Sequence, residues 1–310
     1  MKLISFVAPC YNEEENVAEL YDQVKQEMNK FPQYKYEFIF IDNDSKDGTV
    51  RVLKGMAEQD KNIKIIINAR DFGHIRSPYY ALLQASGDAV ILIASDLQDP
   101  PGLIGDFIKK WEEGYKIVKA VKEDSEESWL MSSTRKCFYS IINRLSAVPL
   151  TKNYYGYGLY DKVIIETLKK INDPYPYLRG LVSDIGFEQA EVMFRKPGRK
   201  RGITKNNFYT LYDLAMLGIV NYSKVPLRLA TMIGFLMAGL SLLVAFLYIV
   251  LKILFWNFFP AGTAPMLIAI FFFSSVQLFF IGILGEYIGC IHTQVQNRPL
   301  VIEKERINFD

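Results

Sequence analysis

The sequence predicts an α/β domain with a mostly parallel sheet and helices on both faces, followed by a hairpin of two membrane-spanning helices. Three observations predict it. Short apolar runs alternate with helix-period segments between Leu3 and Ile93, the order that builds βα units. Clusters of acids and amides stand directly after several of those runs. Beyond Pro226 the chain is largely uncharged, whereas before it charges are mixed among apolar residues. The 310 residues suffice for one domain of about 200 residues and a smaller appendage.

Leu3 to Pro9 is a short apolar run that ends at a proline, as a buried strand does. Glu13 to Lys30 carries Val17, Leu20, Tyr21, Val24 and Met28 at helical spacing, with acids in the first turn, where the helix dipole favours them. Tyr36 to Ile41 is the second strand and runs into the turn-rich segment Asp42 to Thr49. A second helix is expected over Thr49 to Gln59, a third strand over Ile63 to Ile67, a helix over Ser77 to Ser86 and a fourth strand over Ala89 to Ile93. In open α/β sheets ligands bind outside the carboxyl ends of the strands. Tyr11, Asn12 and Glu13 follow the first strand, Asp42, Asn43 and Asp44 the second, and Asp96 to Asp99 the fourth, so these loops form the expected site. No G-x-G-x-x-G follows the first strand, which argues against a dinucleotide oxidoreductase.

Leu229 to Leu251 is uncharged and long enough to cross about 30 Å of hydrocarbon, with Lys252 and Trp256 at its end. After the turn Pro260 to Pro265, Met266 to Gly285 is a second uncharged span. Basic residues before Leu229 and after Ile291 (Arg298, Lys304, Arg306) flank an uncharged middle turn, which places both termini on the cytoplasmic side. The expected organisation is a globular domain over residues 1–206, a juxtamembrane amphipathic helix over 207–226, two spans within 227–291 (about 228–254 and 266–291) and a tail over 292–310. Two stripes suit an interfacial or a core-facing helix: Leu130 to Leu145 within Trp129 to Val148, and Phe208 to Ile219 within Asn207 to Tyr222.

The net charge of +2 excludes little. Its distribution says more, because Arg195, Lys196, Arg199, Lys200, Arg201 and Lys205 cluster ahead of the spans. Such a block favours anionic headgroups or phosphates, the alternative being a solvated loop. Three cysteines, Cys10, Cys137 and Cys290, form no C-x-x-C pair, so neither a zinc site nor a disulfide framework is expected. The start of the chain is too quickly polar for a signal peptide, consistent with a domain in the cytoplasm and a multi-pass protein of the inner (plasma) membrane.

Several motifs carry a resemblance to a family. Pro9-Cys10-Tyr11-Asn12-Glu13-Glu14, Phe40 to Thr49, Arg70-Asp71-Phe72-Gly73-His74, Asp96-Leu97-Gln98-Asp99-Pro100-Pro101, Pro226-Leu227-Arg228, Gly285-Glu286-Tyr287-Ile288-Gly289 and Arg298-Pro299 occur in this order. The chain resembles over nearly its whole length the polyprenyl-phosphate glycosyltransferases, inverting enzymes of the GT-A (nucleotide-diphospho-sugar transferase) fold. The resemblance implies a membrane-bound enzyme that joins a sugar from a nucleotide-sugar donor, UDP-linked, to a polyprenyl phosphate. By it Pro9, Tyr11, Glu13, Asp42, Asn43 and Asp71 bind the nucleotide. Asp96 and Gln98 hold Mg²⁺ or Mn²⁺, alternating along an extended segment so that both face one cation. Asp96, Arg201 and Lys205 act on the reacting groups, the two cations at diphosphate or lipid phosphate. Glu13 equally suits a helix N-terminal acid, Asp42 a turn former and Asp96 a turn ahead of Pro100-Pro101. His74 is a loop hydrogen-bonding group. No nucleic-acid partner is implied, and two spans, few for sheltering a long prenyl chain, suggest a homo-oligomer.

The chain departs from that family at marked positions. Ala94-Ser95-Asp96 lacks the first acid of the usual D-x-D. Asn153 to Leu159 carries Gly156 and Gly158 where the family often has an acid and an arginine, and Cys290 and His292 replace a common Arg and Tyr. The expectation is an active transferase, since a phosphate monoester acceptor has a second pKa near 6 and needs no strong base. A non-catalytic nucleotide-sugar-binding regulator is the rival. A processive synthase is disfavoured by the absence of Q-x-x-R-W.

Overall fold

The computed structural model describes residues 1–123, 151–195, 216–218, 220–255 and 263–309. The stripe from Trp129 to Val148, Arg201 and Lys205, and most of Asn207 to Tyr222 lie outside the described residues.

The first apolar run is β1 (Leu3–Cys10), parallel to β2 (Lys35–Asp42) in a register that sets Leu3 against Lys35 and Cys10 against Asp42. β3 (Ile63–Asn68) adds to the far side of β2 and β4 (Ala89–Leu92) to the free side of β1, both parallel. Between them run α1 (Val17–Met28), α2 (Thr49–Gln59) and α3 (Gly73–Gln84). Beyond α4 (Ile104–Glu112) come β5 (Ile117–Lys122) and β6 (Tyr154–Asp161). β6 lies between β4 and β5, antiparallel to both. α5 (Lys162–Ile171) and α6 (Leu178–Asp184) lead to β7 (Gln189–Phe194), parallel to β5. Two long apolar helices, α7 (Val225–Leu254) and α8 (Thr263–Gln296), precede β8 (Glu303–Ile307). Among the described residues the sheet order is β7-β5-β6-β4-β1-β2-β3-β8.

β2 is buried without interruption from Glu37 to Asp42, the near-continuous pattern of a parallel strand covered on both faces. On one face Phe6, Phe38 and Phe40 pack with Leu20 and Val24 of α1, Leu53 of α2 and Phe107 of α4. On the other, Val7, Ile39, Ile41 and Val90 pack with Tyr79 and Leu82 of α3, Ile164 and Leu168 of α5, and Val182 of α6. Burying each of these large side chains contributes about 1.5–3 kcal/mol. The stripe expected for α1 is the one it buries. α3 starts at Gly73 rather than Ser77. The Gly73 N–H donates to Asp71 Oδ1 at 2.7 Å, which fixes the entry turn, and the helix carries Pro78 in its interior at the loss of one backbone bond.

α7 and α8 are long and apolar enough to cross a membrane: mean hydropathy is 2.5 over Val225–Leu251 and 1.8 over Ala269–Gln296, with neither window buried. The 34 residues of α8 span about 51 Å at 1.5 Å per residue, more than about 30 Å of hydrocarbon. Its far end touches the globular domain, where Gln294 Nε2 donates to Asp173 Oδ1 at 2.9 Å. The segment read from sequence only as a tail then returns to the sheet. Arg76 donates to the Pro299 carbonyl, and Ala69 N donates to the Ile302 carbonyl at 2.9 Å. β8 closes the edge of β3 antiparallel, leaving no open edge there to pair with another chain. Asn308 Nδ2 caps the arrangement on the Ala57 and Ile63 carbonyls at 3.0 and 2.8 Å.

At the amino-terminal edge of the sheet Glu37 is 4% exposed. Its carboxylate accepts from Ser5 Oγ at 2.5 Å, Ser86 N at 2.9 Å and Ser86 Oγ at 2.8 Å, and pairs with Lys64 Nζ at 2.7 Å. Burial pushes this carboxyl up, and Lys64, Ser5 and Ser86 together more than offset it, so Glu37 titrates below 4.5. A carboxylate depressed in the fold stabilises it above the unfolded value and loses that contribution as pH falls through the folded value. Glu37→Ala is therefore expected to cost about 2–4 kcal/mol near pH 7 and to flatten the loss of stability below pH 4.5. Denaturant titrations of detergent-solubilised protein at pH 3.5–7 measure both.

Candidate active site

The parallel register of β1, β2, β3 and β4 brings their carboxyl ends to one edge. Asn43 N donates to the Cys10 carbonyl at 2.9 Å and Ile93 N to that of Val7 at 3.0 Å. Ser95 Oγ ties the loop after β4 to the Pro9 carbonyl at 2.6 Å. The loops after β1 and β2 are laced by side chain to backbone bonds: Asn12 N to Ser45 Oγ at 2.9 Å, Lys46 N to Asn12 Oδ1 at 2.7 Å, Glu13 N to Thr49 Oγ1 at 2.8 Å and Gly48 N to Glu14 Oε2 at 2.8 Å. Pro9, Tyr11, Glu13, Asp42, Asn43 and Asp71 thus stand on one edge.

Asp42 is fully buried. Its Oδ2 accepts from Ser45 N at 3.0 Å, while Oδ1 is buried without a partner. Burial pushes the carboxyl above its ordinary range, against the pull of the Ser45 bonds. An orphaned buried carboxylate oxygen is costly, and a hydroxyl or N–H donor from a ligand would satisfy it. Asn43 is also buried, but its amide is committed inside the protein. It donates to Asp71 Oδ1 and accepts from Asn68 Nδ2 and Phe72 N, each at 3.0 Å. Asn43 and Asp71 therefore clamp the ends of β2 and β3 together. Glu13 Oε2 accepts from Asn16 Nδ2 at 2.6 Å, in the turn that opens α1.

Asp96 and Gln98 do not lie on an extended segment. Leu97 adopts φ +59°, and Asp96 Oδ1 accepts from Gln98 N at 3.2 Å, so a side-chain-capped turn replaces the expected alternation. The position of the missing acid is used by its backbone: Ala94 N donates to Asp99 Oδ2 at 3.0 Å. The oxygen donors of Asp96 and Gln98 suit a hard cation. No group of three or more His, Cys, Asp or Glu able to hold an ion occurs among the described residues, so these residues fit Mg²⁺ or Mn²⁺ only where a ligand's phosphates complete the shell. Arg201 and Lys205 lie outside the described residues.

Gly156 and Gly158 are glycines for reasons of space. Gly156 has φ +108°, a region that L side chains rarely adopt. A Cβ on Gly158 would run into the Val118 carbonyl and the Lys119 backbone of β5. Lys119, the register partner of Gly158, is 1% exposed. Its Nζ donates to Thr151 Oγ1 at 3.0 Å and Ser183 Oγ at 3.2 Å and lies 5.0 Å from the centre of the Tyr154 ring. A charge within the alternating run of β5 reads from sequence as solvent-facing, so no signal marked it. Ser95 and Asn68 were likewise unmarked, and Arg179, on α6, belongs to no motif. His74 sits exposed in the first turn of α3 rather than in a loop.

Burial drives the Lys119 ammonium down to about 8 from 10.5, with Glu191 pulling the other way. The unfolded chain therefore holds the extra proton between these values, and stability rises with pH across that interval. Below it the cost of the buried cation is fully present. Lys119→Met is expected to stabilise the protein by about 1–3 kcal/mol at pH 7 and to abolish the rise between pH 8 and 10.5, as read from denaturation midpoints at successive pH values.

The profile of Glycosyl transferase family 2 matches residues 5–168. An uncharacterized glycosyltransferase of Bacillus subtilis (strain 168), YkcC, is 34% identical over 307 residues, covering 99% of this chain and 94% of that protein. The SfII prophage-derived bactoprenol glucosyl transferase of Shigella flexneri is 35% identical over 304 residues, covering 97% of each. Among solved structures, the mannosyltransferase PcManGT from Pyrobaculum calidifontis, in complex with GDP-Man and Mn²⁺, superimposes with a TM-score of 0.47 at 16% identity, over 70% of this chain and 61% of that one.

Proposed function

We propose that this chain, which belongs to glycosyl transferase family 2, moves a hexosyl group from a UDP-linked donor to a polyprenyl phosphate at the cytoplasmic membrane face. The observation that carries the reading is the carboxyl-end edge, where a buried Asp42 with an unpaired oxygen stands among the laced loops of Glu13 and Asn43. Full-length similarity to a bactoprenol glucosyl transferase supports the acceptor class, and two helices able to cross a membrane support its delivery by the bilayer. A homo-oligomer belongs to the same reading, because two spans shelter little of a long prenyl chain.

The acceptor phosphate is largely dianionic at pH 7 and is already a nucleophile. One of its oxygens forms a bond to the anomeric carbon while the bond from that carbon to the donor's diphosphate oxygen breaks. The nucleoside diphosphate leaves with the electron pair and the configuration inverts. The chain's own residues hold and orient. Asp42 accepts from ribose hydroxyls through Oδ1, Glu13 and Tyr11 line the base and ribose, and Pro9 shapes the floor. Asn43 and Asp71 fix the loop that carries them. Arg201 and Lys205 neutralise phosphate. Bound at Asp96 and Gln98, Mg²⁺ or Mn²⁺ supplies positive charge for the departing diphosphate. Orientation and charge neutralisation account for much of the acceleration, which is why Gly156 and Gly158 leave activity intact.

Purified protein with radiolabelled nucleotide sugars and undecaprenyl phosphate is expected to yield lipid-extractable label from a UDP-hexose. Absence of label with every common donor counts against the reading. Asp96→Ala is expected to lower transfer by about 10²-fold or more, and unchanged activity removes the metal role given to Asp96. A wild type that binds UDP-hexose without transferring it favours the rival of a non-catalytic sugar-nucleotide binder, motivated by Ala94, Gly156 and Gly158. Asp42→Asn is expected to weaken UDP binding by about tenfold, measured by calorimetry.

A further inference from the structure

We propose that Arg179 and His74, flanked by Arg70, Arg76 and Arg298, receive the phosphate of the acceptor lipid; the inference rests on the chain being a transferase to a lipid phosphate.

These residues come from distant parts of the sequence and meet on the side of the sheet covered by α3, α5 and α6. Arg179 enters from α6. One of its guanidinium nitrogens donates to the Tyr154 carbonyl at 3.3 Å, and the group lies 5.3 Å from the centre of the Tyr177 ring and 5.8 Å from that of Tyr155. These contacts orient the fork and leave most of its donors unspent. No carboxylate among the described residues pairs with it. His74 enters from the first turn of α3. Its ring is open to solvent on one side, yet desolvation by the surrounding atoms first, and the Arg179 charge second, hold its imidazole below the ordinary range against the pull of Asp71. Arg76, two residues along, feels the charges of Arg70 and Arg298, which oppose its own. Its Nε is buried without a partner.

Two nearby acids offset only part of this charge, and neither forms an ion pair with these guanidiniums among the described residues. Asp71 accepts from Asn43 and from Gly73 N, and Asp173 from Tyr175 N and Gln294 Nε2. Cations gathered without paired carboxylates repel one another and disfavour the fold until an anion joins them. A phosphate monoester brings a charge of about −1.5 to −2 at pH 7 with three acceptor oxygens, and a guanidinium fork matches two of them. A neutral imidazole can donate to the third.

Position selects the acceptor's phosphate rather than the donor's. The orphaned Asp42 carboxylate follows Phe38 and Phe40 in the alternation of β2, towards the layer of α1, α2 and α4. The cationic group lies on the opposite layer, where the chain leaves α8. Arg76 holds the Pro299 carbonyl, and Gln294 at the end of α8 holds Asp173. A headgroup confined to the membrane surface arrives at this end of α8, so its phosphate meets Arg179 and His74 first.

The test is steady-state transfer by the purified full-length chain with undecaprenyl phosphate varied, beside calorimetric titration with UDP alone. Arg179→Ala is expected to raise the acceptor KM about tenfold or more and His74→Gln about three- to tenfold. UDP affinity is expected to stay within about twofold, with Arg179→Lys falling between wild type and Arg179→Ala. Should Arg179→Ala not yield folded protein by gel filtration, Arg179→Lys and His74→Gln carry the same comparison. An unchanged acceptor KM in an active series overturns the inference while leaving the transferase reading intact. A loss of UDP affinity at constant acceptor KM assigns the cations to the donor diphosphate and also overturns it. A wild type that transfers to no lipid phosphate removes the reading and the inference together.

Discussion

Parallel pairing of β1 with β2 and β4 is the constraint on which the other features rest. Parallel strands cannot be joined by tight turns, so each must be followed by a crossover, and each crossover begins in a loop on the same edge. The register that sets Cys10 against Asp42 keeps those loops level enough to be laced together by Asn12, Ser45, Glu13 and Thr49. A slip by one residue would turn Asp42 to the other face of the sheet, exchanging it with the apolar position of Ile41. The fully buried carboxylate with its unsatisfied oxygen is thus a consequence of hydrophobic packing several residues earlier in the strand. Phe38 and Phe40 fix where Asp42 points.

The second constraint is that the chain returns from the two long apolar helices to the sheet. β8 docks on β3, and β3 ends at Asn68, the partner of Asn43. Between the far end of α8 and β8 lie Arg298 and Pro299, the latter held by Arg76. The strap on β3 therefore ties the far end of α8 back to the domain. A flexible linker would let the edge sample many heights above the bilayer. The strap, with Gln294 bound to Asp173, holds the end of α8 against one side of the domain. In the proposed reading this would limit a lipid headgroup to that side, an orientation effect of the kind that lowers the entropy cost of a two-substrate reaction.

How far the sequence announced this structure varied by element. α2 spans Thr49–Gln59 as its period predicts, and β1 and β2 follow from uninterrupted apolar runs. α3 began earlier than its period suggests because a side chain, Asp71, supplies the entry turn. β8 is a charged segment, and nothing in its pattern distinguishes a covering edge strand from a solvated tail; only the exposed edge of β3 makes it a strand. In the site, the acids after the strands were legible because loop carboxylates are conspicuous. The internal commitment of Asn43 was not, since its bonds to Asn68 and Phe72 join loops whose proximity only the fold creates. Lys119 was hidden for the complementary reason: its partners Thr151 and Ser183 lie on other elements.

The glycines at 156 and 158 then take on a specific meaning. Neither can regain an ionisable side chain cheaply, one because of its positive φ and the other because β5 occupies the space a Cβ would need. A mechanism that required an acid there would be lost to this chain. A phosphate acceptor removes that requirement, because ionisation in water has already produced the nucleophile. What remains to be supplied is charge complementary to two phosphates approaching one another. Two dianionic groups a few ångströms apart repel by several kcal/mol in a medium of intermediate dielectric, and this repulsion, rather than proton removal, is the barrier the protein must lower. Separate groups of cations on the donor and acceptor sides of a carboxylate-lined edge are the arrangement that physical demand calls for.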